Sequence, residues 1–177
     1  TSDWISGSEA AGGIFAVSLG KIMASQVTAV EDTQFEYDTE FGNYVLNVEK
    51  GLDKTKVGNL NLIESNGYAG GLIGIGLYAG VDASYAKAGF RNGKVIGGLI
   101  GLSVASKVTY SYAVPFVNLT ETTKEIGGLI GSAHIVEKGY NYNSDSLSKY
   151  KELVKVQLNK DTSSSSIAYT DIQYTFS

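Results

Sequence analysis

GGLIG is written three times in this chain, at Gly70–Gly74, Gly97–Gly101 and Gly127–Gly131, and a weaker copy, AGGIFA, stands at Ala11–Ala16. From the first glycine of each pair, Gly70 to Gly97 is 27 residues and Gly97 to Gly127 is 30. Gly12 to Gly70 is 58, twice 29, which predicts a degenerate copy within Phe35–Asn66. A second marker keeps step with the first. Ser84-Tyr85-Ala86 follows Gly70 by 14 residues, and Ser111-Tyr112-Ala113 follows Gly97 by 14. Fourteen past Gly127 lies Asn141, within Gly139–Ser144, and Ala24-Ser25-Gln26 falls 13 past Gly12. Two markers at one spacing define a structural repeat.

A helix is excluded by composition, since each interior glycine costs about 1 kcal/mol relative to Ala. Short strands with glycine at bends fit better. Lys107–Tyr112 and Ile167–Phe176 carry β-branched and aromatic residues in partial alternation. A single repeat cannot bury its own apolar side, so neighbours must stack. The expected fold is therefore all-β, a repeat solenoid in which each GGLIG lies over the next, at about 4.8 Å per coil. Leu72, Leu99 and Leu129 are expected on one inward ladder with Ile14 as its fourth rung. Ile73, Ile100 and Ile130 form a second ladder. The glycines are expected to supply corner conformations and close backbone approach.

The repeat resembles the GLUG motif of bacterial surface and secreted proteins. The matching text is GGLIGIGLYAGVDASYAKAG at Gly70–Gly89 and GGLIGLSVASKVTYSYAV at Gly97–Val114, with a degraded version from Gly127 to Ser144. The resemblance covers Ala69–Ser144 well and Gly12–Val30 loosely, but neither Phe35–Asn66 nor the tail after Asp145. Families carrying the motif include large adhesins and the immunoglobulin-A-specific metallopeptidases. The resemblance implies a right-handed parallel β-helix lying outside any catalytic part, and about four to five coils are expected in this chain. It also implies an extracellular or cell-surface location. The turn after the motif departs from the usual Asn- and Gly-rich form, reading GLYAGVD or SVASKV.

The bulk numbers agree with such a role. The chain has 177 residues, a net charge of −4 and singly scattered Lys and Arg. That argues against a nucleic-acid surface, which needs a clustered basic face. Cysteine is absent, which leaves the compartment open. The longest apolar run, Tyr68–Val81, is 14 residues with five glycines, short of the roughly 20 needed to span a bilayer. The start at Thr1 without Met reads as a processed or excised chain.

Catalytic and cofactor patterns are weak. Gly74–Ala79 satisfies the glycine spacing of a dinucleotide turn but lacks the following helix and acidic residue. His134, the single histidine, sits among Ala133, Ile135 and Val136 and reads as structural. One His and no Cys exclude the common structural zinc sites. Polysaccharide cleavage needs acidic or basic groups aligned on adjacent coils; the positions between the two markers hold Asp82, Lys107 and Glu137. The acidic run Glu31, Asp32, Glu36, Asp38 and Glu40 reads as a solvated loop, with calcium binding as the sharper alternative. No cofactor and no enzymatic activity are expected. Asn118-Leu119-Thr120 is an N-glycosylation acceptor pattern. Tyr78, Tyr85, Tyr110, Tyr112, Tyr140 and Tyr142 are candidates either for stacked structural rungs or for contact with a glycan or host-surface ligand.

The solenoid is expected over residues 1–145, and residues 146–177 divide into a cap, a hinge and a detached strand. Ser146–Leu158 is the expected cap of one end, and the serine run Ser163–Ser166 the hinge. The terminal strand Ile167–Phe176 is expected to pair with a neighbouring subunit, with Ile167, Tyr169, Ile172, Tyr174 and Phe176 at the contact. The functional expectation is a non-catalytic structural protein of a surface filament or adhesive assembly, self-associating into a homo-oligomer. A repeat module of a larger secreted protease or glycan-acting enzyme is the alternative.

Overall fold

The computed structural model describes residues 4–28, 35–38, 43–46, 62–117, 121–137, 148–150, 167–168, 170–175 and 177. They form a parallel β-solenoid in which each coil turns through four short strands, designated faces I to IV. The second coil runs Tyr68–Gly70, Ile73–Leu77, Gly80–Asp82 and Tyr85–Asn92. The third runs Val95–Gly97, Ile100–Val104, Lys107–Thr109 and Tyr112–Val117. Each strand of the second pairs in parallel with its counterpart in the third. No helix among the described residues is long and apolar enough to cross a membrane.

The ladders are those the repeat predicts. Leu72 N–H donates to the Leu99 carbonyl at 2.9 Å, Leu99 N–H to Leu129 at 2.8 Å, and Ile14 N–H to Leu72 at 3.0 Å. These four residues occupy one position of successive coils. Ile73 stands in register with Phe15, Ile100 and Ile130. Leu72, Ile73, Leu99 and Ile100 are fully buried in a core shared with Val81, Val108, Ala86 and Ala113, while Leu129 and Ile130 pack on it half-buried. Ile14, the expected fourth rung, is 37% exposed because it lies on the first coil.

Each glycine of GGLIG is required by a contact, not by its dihedral angles. A Cβ on the first (Gly12, Gly70, Gly97, Gly127) would strike the carbonyl oxygen three residues on. One on the second (Gly71, Gly98) would strike the matching glycine carbonyl of the next coil. At the third, Gly101 would meet the Gly74 carbonyl oxygen at 2.7 Å. The expectation that glycine supplies the corner conformations is corrected. The left-handed corners among the described residues fall on Ala24, Tyr78, Ala83, Ala105, Tyr110 and Tyr174, with φ between 46 and 54°. All but Tyr174, which follows the tail strand Asp171–Gln173, lie in the stretch between the motif and the serine of the second marker.

The serine of the second marker closes the corner between faces III and IV. Ser25, Ser84 and Ser111 each donate their hydroxyl to the carbonyl two residues back, of Met23, Asp82 and Thr109 respectively. The Ser84 and Ser111 oxygens also accept the N–H of the matching serine one coil earlier, at 3.1 Å in both cases. A hydroxyl both donates and accepts, so one residue stitches the corner and the stack together.

The spacing of 58 does not conceal a whole coil. Tyr85 pairs with Gln26, 59 positions back, whereas Gly89 pairs with Leu62, only 27 back. Gln26–Thr28 and Leu62–Ser65 are thus two parts of one face IV rung, interrupted by an insertion. The insertion contains an antiparallel hairpin, Phe35–Asp38 with Asn43–Leu46. Trp4–Gly7 adds a further rung against Leu62–Ser65.

The fourth coil supplies Glu125–Gly127 to face I and Ile130–His134 to face II, then leaves the stack. Its face III strand arrives much later in the chain. Asp171–Gln173 pairs in parallel with Lys107–Thr109 of the same chain, setting Ile172 beside Val108. The expected boundary at residue 145 and the detached strand are corrected accordingly. The tail completes its own fourth coil in place of pairing with a neighbour. Its edge partner is already present, and no longer reach is needed. Ile172 points along the inward column of Ile22, Val81 and Val108 but remains 46% exposed on the last rung. Ile167 joins a short antiparallel pair with Glu137. Tyr169, Phe176 and the serine run lie outside the described residues. The expected end cap is also altered. Its described part, the 3₁₀ turn Ser148–Tyr150, lies along the side of the stack. Lys149 pairs with Glu9 at 2.7 Å, and Tyr150 packs against the outer cluster of Ile75, Leu77, Leu102 and Val104.

Candidate functional site

The outer surface of face III carries a groove of about 730 Å³, lined among others by Lys21, Tyr78, Asp82, Lys107, Tyr110 and Gln173. Parallel stacking builds it, since every second residue of these three-residue strands points outward. The outward columns read Lys21, Gly80, Lys107, Asp171 and Met23, Asp82, Thr109, Gln173. Gly80 opens the floor, for a Cβ there would approach the Lys21 side chain to 2.9 Å.

Charges along the groove are matched between coils. Lys21 Nζ lies 3.3 Å from Asp82, and Lys107 Nζ lies 3.6 Å from Asp171. The Thr109 hydroxyl donates to Asp82 Oδ1 at 2.7 Å. That hydrogen bond, then the one from Lys21, holds the Asp82 carboxyl below its ordinary value of 3.8. The groove is thus polar but electrically balanced.

One wall is aromatic. Tyr110 and Tyr174 stack with ring centroids 5.0 Å apart and planes within 3° of parallel. They are 63% and 74% exposed. Tyr85 and Tyr112 form a second stack on face IV, at 4.9 Å and 7°, but are half-buried there, and Tyr85 O–H donates to the Gln26 side-chain carbonyl. Tyr85 and Tyr112 are therefore structural rungs, and Tyr78 packs half-buried against the outer apolar cluster. Tyr78 and Tyr110 both line the groove, and of the two Tyr110 is the exposed one. Tyr140 and Tyr142 lie outside the described residues, as does Asn118.

The remaining candidates do not assemble. Gly74 and Gly76 lie within a buried strand, so the dinucleotide pattern has no turn to form. His134 takes the rung that Leu77 and Val104 occupy on earlier coils. Asp82 stands level with Thr109 and Lys107 with Gly80, while Glu137 has left the stack. The three charged positions read from the sequence are therefore not equivalent. Of the acidic run, Glu36 and Asp38 fall in the hairpin of the insertion, and the others lie outside the described residues. Among the described residues no group of three metal-ligating side chains converges.

Sequence reasoning did not single out Lys21, Thr109 or Gln173. Thr109 shows its alignment with Asp82 once the 27-residue period is applied to face III, whereas Lys21 meets Gly80 across 59 positions, a spacing that spans the insertion. Gln173 gives no such signal, because it reaches the groove from the distant tail. No family model matches the chain, and no curated protein or solved structure does. The GLUG resemblance accordingly rests on the repeat residues themselves.

Proposed function

We propose that this protein is a non-catalytic, GLUG-type structural repeat domain that works outside the cell, as a subunit of a surface filament or adhesive assembly. The observation that carries this reading is the unfinished state of the stack at its ends. Ile126 and Ile172 continue the inward columns of Ile96 and Val108, yet each is 46% exposed on the fourth coil. At the opposite end Phe15 begins the column that continues through Ile73 and Ile100 to Ile130, and it is exposed too. A second copy stacked end to end extends these columns, with Phe15 of one subunit following Ile130 of the next. Such a head-to-tail contact does not close on itself and propagates as a filament. Exposed strand edges add unpaired backbone groups that favour the same union.

The extracellular part of the reading draws on the GLUG resemblance. Its non-catalytic part draws on the groove, where each lysine is paired with a carboxylate.

Sedimentation velocity and electron microscopy of the purified chain test the proposal. Concentration-dependent assembly is expected, with loss of the larger species in Ile126→Lys and Ile172→Lys while circular dichroism stays that of the parent. A wild-type chain that remains monomeric at about 100 μM would overturn it.

A further inference from the structure

We propose that the slot above Ala83, against the open face of Tyr110, binds one ring of a neutral saccharide. This deepens the adhesive part of the function proposed above and rests on it. It uses the side of the stack, whereas assembly uses the ends.

The corner between faces III and IV is occupied by Ala24, Ala83, Tyr110 and Tyr174 on successive coils. The N–H groups of the first three donate to the carbonyls of Asp82, Thr109 and Gln173 on the following coil. All four residues hold a left-handed backbone, with φ of 46, 46, 48 and 53°. Alanine satisfies this corner on the first two coils, so the fold itself does not call for tyrosine on the last two. A bulky side chain in that region of φ is a genuine outlier, and such outliers gather where function overrides local preference. These rings are also largely exposed, so core packing does not account for them.

The ring ladder then stops. Tyr174 covers one face of Tyr110 from the fourth coil. The other face looks toward the second coil, where the corresponding residue is Ala83, exposed and lacking a ring. The 5.0 Å ring separation is close to the coil spacing of about 4.8 Å, so a ring stacked on the open face of Tyr110 would lie at the level of Ala83, with Ala24 beyond it also lacking a ring. Tyr110 itself lines the groove, where Asp82, Lys107, Thr109 and Gln173 carry a carboxylate, an ammonium, a hydroxyl and an amide. Few polar groups around an aromatic platform are the usual makings of a ligand site. A sugar suits both: its flat C–H face stacks on the phenol, and its hydroxyls reach the polar rim. The pairing of Lys21 with Asp82 and of Lys107 with Asp171 leaves no surplus cation for an anionic ring. A neutral saccharide is the class that fits.

Affinity electrophoresis through gels containing soluble β-glucan, mannan, galactan or polygalacturonate tests this on the full chain. Retardation by at least one neutral polymer is expected, weakened at least about tenfold in Tyr110→Ala, the scale of one lost ring stack. Ala83→Tyr supplies the missing rung at a corner that already accepts tyrosine. It is expected to abolish retardation while melting at or above the wild-type temperature, which separates blockage of the slot from unfolding. Three results would overturn the proposal: no retardation by any neutral polymer, retardation by polygalacturonate alone, or retardation unchanged in Ala83→Tyr. None of them bears on the end-to-end assembly, which sedimentation reads separately.

Discussion

Placing a methyl group on Gly98 tests whether the GGLIG glycines act through close approach. The added Cβ of Gly98→Ala would run into the Gly128 carbonyl oxygen and come within 2.6 Å of the Ala113 Cβ. Neither obstacle can rotate away, so the third and fourth coils must part locally. Separation weakens the bonds from Gly98 to Gly127 at 3.2 Å, Leu99 to Leu129 at 2.8 Å and Ile100 to Leu129 at 3.1 Å. At about 1 kcal/mol for each net hydrogen bond, their combined loss is roughly 3 kcal/mol. Against this, replacing glycine narrows the unfolded ensemble and returns about 0.4–1 kcal/mol. The expected balance is a loss of about 2 kcal/mol. Gly20→Ala is the control, because nothing lies within 4 Å of its added Cβ. There the entropic gain acts alone, and a stabilisation of up to about 1 kcal/mol is expected. Guanidinium denaturation of the two variants beside the parent reads the difference directly. Equal midpoints for Gly98→Ala and Gly20→Ala would refute close approach as the reason for the repeat.

Leu99→Ala is expected to cost about 2–5 kcal/mol, as for other fully buried leucines. Leu129→Ala should cost about half as much, because Leu129 is only half-buried; denaturation midpoints that do not separate the two would contradict the inward ladder. Ser111→Ala removes the acceptor of the Ser84 N–H and the donor to Thr109. About 1–3 kcal/mol should be lost, the range for leaving a buried partner unsatisfied, while the exposed Ser8→Ala changes the melting temperature little. Asp82, held below its ordinary value of 3.8, contributes stability that is present above the unfolded-state pKa and lost as pH falls through the folded-state one. A small, salt-sensitive fall in melting temperature is therefore expected below about pH 4, and Asp82→Asn should flatten that part of the profile.

The solenoid was legible in the sequence because its repeating contacts recur at nearly constant spacing. A leucine that must meet the leucine of the next coil has to return at each turn, and Leu72, Leu99 and Leu129 do so. The paired glycines and the marker serine return for the same reason, each meeting its own copy. The groove was only half legible. Asp82 and Lys107 stand out between the markers, but the marker spacing sets them level with each other, whereas the register places them apart.

What escaped the sequence was wherever the chain leaves the coil and comes back. The insertion after Thr28 has nearly the length of one coil, so its spacing imitated a hidden repeat. Only the pairing of one strand with two separated segments exposed it. The face III strand of the fourth coil comes from Asp171–Gln173, and no local signal distinguishes a strand that completes its own stack from one that joins another. That choice depends on which edge hydrogen bonds are free and within reach, a property of the folded chain as a whole. The left-handed corners belong with these. Composition assigns such a conformation to glycine, yet coil-to-coil hydrogen bonding imposes it on Ala83 and Tyr110, because a stacked backbone can hold a residue where its own preferences would not.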